Sequence, residues 1–483
     1  MPDLPNSVFE PARERPVLRD VDVAVAGSGL SATFAAIAAA RVGARTLLIE
    51  RFGSLGGNMG PAMICGGGLA REAEVTLPGG LAGIAREFIE RVADLCIGSD
   101  SRYREQSSAA SFVAAEMCRE AEVELLLSAW ASDPIMDGDT VRGLFVETSA
   151  GRMAVRARVT VDGTGDAGVA ARAGARIIEY LEQDESLAPY IRPRYLDPAH
   201  PTYYNDTMLP GVMAGVDLAR YQEYVAQPAD LSDEDRAWAE AEGIVPCYPE
   251  VMVPALRQAW EGGGFLPWVE IAPGVMTSAA RSFADYGGGN VGFYVSCLGA
   301  INCTDPDLVT AVEDTLRSQA FRLMRFYRAH VPGFENAYLT CLAPWIGMRG
   351  GPHIEGDHTL TPEEAFGGLR RDDVLFRNIH EGEHGGEPSG FDVPLAIALP
   401  RGIEGLLVCG RGAAYLRRGH DPSGMRARPA MMVFGQTVGT AASIAALDGV
   451  APRAVDIRKV QRRLIADGIV LGEPERLREL GLA

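Results

Sequence analysis

The chain has 483 residues and eight cysteines, yet no Cys-x-x-Cys pair. Cys65, Cys96, Cys118, Cys247, Cys297, Cys303, Cys341 and Cys409 are scattered along it. That spacing excludes the usual dithiol redox pair and the zinc ribbon. No unbroken run of ~18 apolar residues occurs, so no transmembrane helix is expected. The first residues, Met-Pro-Asp-Leu-Pro-Asn, lack the basic segment and apolar core of a secretory signal. The expectation is a cytoplasmic protein with reduced thiols and no membrane partner. Positive charge is also short, with 45 Lys and Arg against 64 Asp and Glu, a net charge of −19. Such a surface repels phosphate backbones, so no nucleic-acid partner is expected.

What is present fits a globular enzyme: 47% apolar residues, 23% charged residues and 56 glycines. Val21 to Ala26 is short, apolar and β-branched, and reads as a buried parallel strand. The turn Gly27-Ser-Gly29-Leu-Ser-Ala32 follows it directly, and the Ala-rich stretch from Thr33 to Val42 reads as a buried helix. Thr46 to Ile49 is a second strand, and Glu50 sits at its end. In such a unit Gly27 permits the tight turn and Gly29 lets the backbone approach a pyrophosphate. Ala32 allows helix and strand to pack closely. The N-terminus of the helix offers unpaired N–H groups to phosphates, and Glu50 offers a carboxylate to ribose hydroxyls. These parts together predict a dinucleotide site. The next segment, Arg51-Phe-Gly-Ser-Leu-Gly-Gly-Asn58, is a second glycine-rich loop, which suits FAD better than NAD.

With these residues in hand, the chain resembles the FAD-dependent oxidoreductases of the glutathione-reductase-like fold, and among them the bacterial group with a large inserted substrate domain. Further blocks carry the resemblance. They are Val161-Asp-Gly-Thr-Gly-Asp166 with Ala170 to Gly174, Val331 to Asn336 leading to Gly347-Met-Arg349, and Leu406-Leu-Val-Cys-Gly-Arg411. Met425-Arg-Ala-Arg-Pro429 and Gly435-Gln-Thr-Val-Gly-Thr-Ala-Ala442 complete them. The resemblance implies that Gly27, Gly29 and Ala32 line the pyrophosphate, and that Glu50, with Arg51 beside it, holds the adenosine ribose. It brings Gly56, Gly57 and Asn58 past the pyrophosphate and flavin, and the backbone around Trp130 to adenine. Asp166 is implied near the pyrophosphate or ribitol, Gly410 and Arg411 near the ribityl chain, and Met425 and Arg426 near the pyrimidine edge of the flavin. Two departures stand out. Ser28 interrupts the three glycines that usually form the first turn, and Pro352-His353 stands where the group often carries an Arg pair.

Some motifs mislead. Gly163-Thr-Gly-Asp-Ala-Gly168 imitates a second dinucleotide turn, but too little chain follows for its helix. His380-Glu-Gly-Glu-His384 matches a zinc-protease pattern, yet the surrounding glycines and Pro388 predict a loop, so no metal site is expected. Cys65 reads as a small buried thiol.

The expected fold is α/β: a Rossmann FAD domain from residues 17–175 and 395–450, an inserted α+β substrate domain from 176–394, and a helical tail from 451–483. The expected chemistry is removal of hydride from a small polar metabolite, with oxygen or another acceptor taking the electrons. Arg349, His353 and His420 are the candidate catalytic residues. A flavin monooxygenase is the alternative enzyme, and an FAD-containing RNA-modification or assembly factor the alternative of another class. Whether identical chains assemble is left open.

Overall fold

The computed structural model describes residues 9–483 except 65–68, 97–106, 179–206, 243, 245–247, 267, 274, 279–283, 300, 349, 381–388, 417–424 and 426. The chain opens with strand β1 (Val17–Ala26), helix α1 (Leu30–Val42) and strand β2 (Thr46–Ile49). Residues 21–26 of β1 and all of β2 are buried, because the sheet is covered on both faces. The polar exception, Asp22, keeps its charge through Arg45. Burial alone would raise its carboxyl, but the Arg45 side chain and backbone N–H outweigh that and hold it low. Gly43 ends α1 in the left-handed conformation and returns its N–H to the carbonyls of Ala39 and Ala40.

Strands β3 (Glu124–Leu126), β4 (Trp130–Asp137), β5 (Thr140–Thr148) and β6 (Gly151–Asp162) complete a sheet of order β3-β2-β1-β6-β5-β4. β3, β2, β1 and β6 run parallel, β5 is antiparallel to β6, and β4 is antiparallel to β5. The late strand Leu406–Val408 pairs parallel with the far end of β6. The protein is therefore a mixed α/β fold with a Rossmann-like parallel sheet.

Helix Arg428–Asp448 lies against α1. A Cβ on Gly435 would stand 2.0 Å from the Ser31 carbonyl oxygen, and one on Gly439 2.1 Å from that of Ala35. The two glycines let the helix backbones touch. This helix is apolar and long enough to cross a membrane by composition, but 94% of its apolar window is buried inside the protein, as in a core helix. Hairpin Val374–His380 and Ser389–Pro394 also packs into this first core, as do Val460 and Leu464 from helix Ile457–Ala466.

A second core surrounds a second sheet. Strands Tyr338–Leu342, Thr207–Ala214, Asn290–Gly299, Val275–Ser278 and Glu270–Ala272 lie in that order, each antiparallel to its neighbour. Helix Pro306–His330 buries Val312, Leu316 and Leu323 in the same core. Asp305 caps it by accepting from the N–H groups of Asp307 and Leu308. Gly347–Met348 adds a short strand against Thr207 and Met208 and brings this unit to the edge of the first.

Candidate functional site

A cleft of about 1230 Å³ lies where the two units meet. That exceeds the roughly 300–1,000 Å³ of a site for one drug-sized ligand, and leaves room for a dinucleotide with a second molecule. Its floor is the turn between β1 and α1. Gly27 has φ +85°, and a Cβ there would lie 2.7 Å from the Gly163 carbonyl oxygen. Ala32 faces Gly163 so closely that a second Cβ on Gly163 would come within 2.4 Å of its own. Both residues are small because backbone meets backbone. Gly29 differs, since a Cβ on it would meet no protein atom within 4 Å. Its missing side chain leaves the cleft floor open at the N-terminus of α1, as a pyrophosphate lying against the backbone requires.

The second glycine loop closes one side. Gly56 donates its N–H to the Ser28 carbonyl at 2.9 Å, and a Cβ on Gly57 would sit 2.8 Å from the Gly29 Cα. Asn58 extends across the cleft and donates from Nδ2 to the Met348 carbonyl at 2.9 Å. Glu50 is buried at the end of β2 and accepts from Ser28 and from the Phe52 N–H. Arg51 beside it is enclosed by rings, its guanidinium carbon 4.0 Å from the Trp345 ring, 5.0 Å from Phe52 and 5.1 Å from Trp130. Burial pushes the Arg51 pKa down, against the nearby carboxylates of Asp166 and Glu50. Trp130 is half exposed at the start of β4.

At the far end Arg411 gathers three segments. It donates to the Gly165 carbonyl at 2.8 Å, to Asp166 Oδ1 at 2.6 Å and to the Met348 carbonyl. The Cys303 thiol lies 3.6 Å from the same Asp166 oxygen, and burial, with Asp166 adding to it, pushes its pKa up to about 12. Gly410 has φ +74° and, like Arg411, lines the cleft.

The structure thus brings Gly27, Gly29, Ala32, Glu50, Arg51, Gly56, Gly57, Asn58, Trp130, Asp166, Gly410 and Arg411 to one cleft. Two expected residues lie elsewhere. Met425 is fully buried and does not line the cleft. His353 is likewise completely buried. Its Nδ1 is 3.0 Å from the Ala413 carbonyl, and its ring stands edge-on to Tyr415 at 5.1 Å. It sits behind Pro352 and Tyr415, which do face the cleft. Arg349, His420, Arg426 and Cys65 lie outside the described residues. So does most of His380-Glu-Gly-Glu-His384, of which His380 ends a strand.

The false second turn is resolved differently. Asp162 accepts from Thr164 and from the N–H groups of Val169 and Ala170, tying the turn to a five-residue helix, Gly168–Arg172. Burial raises the Asp162 pKa against those hydrogen bonds. The next strand, Ile177–Ile178, pairs antiparallel with His353–Ile354 outside the main sheet. Sequence reasoning missed Trp345, Ile64 and Cys303, which line the cleft, and gave no role to Met348, although it falls in the block Gly347 to Arg349. None carries a spacing signal.

A family model described as FAD dependent oxidoreductase matches residues 22–464. No curated protein matches the chain. Among solved structures, a geranylgeranyl bacteriochlorophyll reductase-like protein from Thermoplasma acidophilum is 14% identical, over 93% of this chain and 87% of that one, with a TM-score of 0.43. A p-nitrophenol 4-monooxygenase from Pseudomonas putida is 13% identical, over 96% and 93%, with a TM-score of 0.42. A flavoprotein/dehydrogenase from Cytophaga hutchinsonii is 14% identical, over 92% and 81%, with a TM-score of 0.38. These likenesses are too distant to assign a substrate. The family match runs through the phosphate turn, Glu50, Arg411 and helix Arg428–Asp448, and on it the chain belongs to the FAD-dependent oxidoreductase family.

Proposed function

We propose that this oxidoreductase removes a hydride from a C–H bond of a small polar metabolite and delivers the electrons to oxygen or another acceptor. A bound flavin supplies that chemistry. The observation that supports the reading is the cleft itself: the phosphate turn lies at one end and residues of a second sheet at the other. We read the fold as glutathione-reductase-like, with residues 17–175 and 395–450 holding FAD and 176–394 as the inserted substrate domain. Val374, Phe376, Phe391 and Val393, although within 176–394, pack in the first core and extend the FAD-holding unit.

In this reading Gly27, Gly29 and α1 hold the pyrophosphate, and Glu50, Arg51 and Trp130 hold the adenosine. Gly56, Gly57, Asn58, Asp166, Gly410 and Arg411 line the path to the flavin ring. Helix Arg428–Asp448 presents its N-terminal residues Ala427 and Arg428 to the cleft, and a helix N-terminus favours negative charge there. Arg426 belongs to that approach, whereas Met425 is buried away from the cleft. Arg349, between the cleft-lining residues Met348 and Pro352, is our candidate for holding a substrate anion, and His420 for moving the proton. His353, buried behind Tyr415, serves as a positioning residue that fixes the Ala413–Tyr415 backbone.

Anaerobic mixing with candidate metabolites tests the reading. The flavin should bleach with metabolite alone. Bleaching that requires NADPH, with oxygen then inserted into the product, would establish the monooxygenase alternative.

A further inference from the structure

Ser28 is the residue that interrupts the glycines of the first turn, and the structure shows where its side chain goes. The Ser28 N–H donates to Glu50 Oε2 at 2.8 Å, and the Ser28 hydroxyl donates to the same oxygen at 2.5 Å. The Phe52 N–H donates to Oε1 at 2.8 Å. Ser28 is 1% exposed and Glu50 4% exposed, so both are held in place. The Ser28 carbonyl is fixed as well, accepting from the Gly56 N–H and the Thr33 hydroxyl, each at 2.9 Å.

A carboxylate offers about four lone-pair positions, two on each oxygen. Protein donors take three of them here: both on Oε2 and one on Oε1. We infer that Ser28 limits Glu50 to one acceptor position, on Oε1, so that the carboxylate holds only one of the two adenosine ribose hydroxyls. Ser28 is thus a positioning residue that makes the nucleotide end selective between the hydroxyls. A glycine at this position would leave a second position on Oε2, and the carboxylate would then accept from both. The inference rests on FAD occupying the cleft with its pyrophosphate at Gly29.

The test is calorimetric. Full-length protein freed of flavin is titrated with FAD, ADP, 2′-deoxy-ADP and 3′-deoxy-ADP. In the wild type, loss of one hydroxyl should weaken binding roughly 10- to 100-fold, the loss expected for a hydrogen bond to a charged group, and loss of the other less than about threefold. In Ser28→Ala the two losses should become equal within about threefold, because the competing hydroxyl donor is gone. Ser28→Gly should show the same equality and carries the test should the alanine variant misfold. Equal losses in the wild type would overturn the inference, as would an unchanged asymmetry in both variants. A wild type that binds neither FAD nor ADP would instead overturn the cofactor placement beneath it.

Discussion

The two ends of the cleft are built in different ways. At the end of the β1–α1 turn one continuous stretch, β1 through Asn58, supplies the turn, the carboxylate and the second glycine loop. Its central contact, Ser28 with Glu50, spans 22 residues. At the other end the Met348 carbonyl accepts from Asn58, 290 residues away, and from Arg411, 63 residues away. The end at the β1–α1 turn is a local motif, and the end at Met348 is an assembly of distant segments. Two kinds of glycine follow from this: those that keep backbones together, and one that keeps the cleft open.

Substitutions at the two kinds should part sharply. Gly439→Leu drives a side chain into the Ala35 backbone and should cost about 4 kcal/mol or more, leaving little soluble protein in a denaturant melt. A Cβ on Gly29 meets no protein atom within 4 Å, so in Gly29→Val the melt of the flavin-free protein should change by less than about 1 kcal/mol while FAD binding is lost. If both variants unfold alike, the distinction fails.

Arg411→Met should come next. It removes the partner of Asp166 and the donor to Met348, and should cost about 2–3 kcal/mol in chemical denaturation. A cost below about 0.5 kcal/mol would show that the two units do not depend on this junction. Trp345→Ala removes the nearest ring from Arg51 and should cost about 1–2 kcal/mol in melts. The last effect is chemical. With a pKa of about 12, Cys303 holds very little thiolate at pH 8, so iodoacetamide should label it about a hundredfold more slowly than an ordinary exposed thiol. Peptide mass mapping with the exposed Cys341 as reference reads this directly, and equal labelling would contradict the burial of Cys303.

This contrast also explains what could be read from the chain. Gly27, Gly29, Ala32 and Glu50 announce themselves because strand, turn and helix constrain one another within a few dozen residues. The Arg411 region is recognisable as a block, but not its bond to Asp166, since ion pairs between distant segments leave no periodic trace. His353 appears as a proton-handling residue in sequence and is buried behind Tyr415 in the structure, because a two-residue strand turns it inward. Trp345 carries no pattern at all, and its place over Arg51 depends on how the second sheet docks. The order of strands in that sheet, 338–342 beside 207–214 beside 290–299, is long-range pairing that alternation alone does not reveal.

The central claim is that the floor at Gly29 is open for a pyrophosphate and not for protein packing. The most direct test is to reconstitute the wild type and Gly29→Val with FAD, remove free flavin, and measure bound flavin by visible absorbance beside a circular-dichroism melt. Stoichiometric FAD on the wild type, none on the variant, and matching melts of the two flavin-free proteins are the predicted result. A wild type that takes up no FAD, or a folded variant that keeps it, would contradict the account.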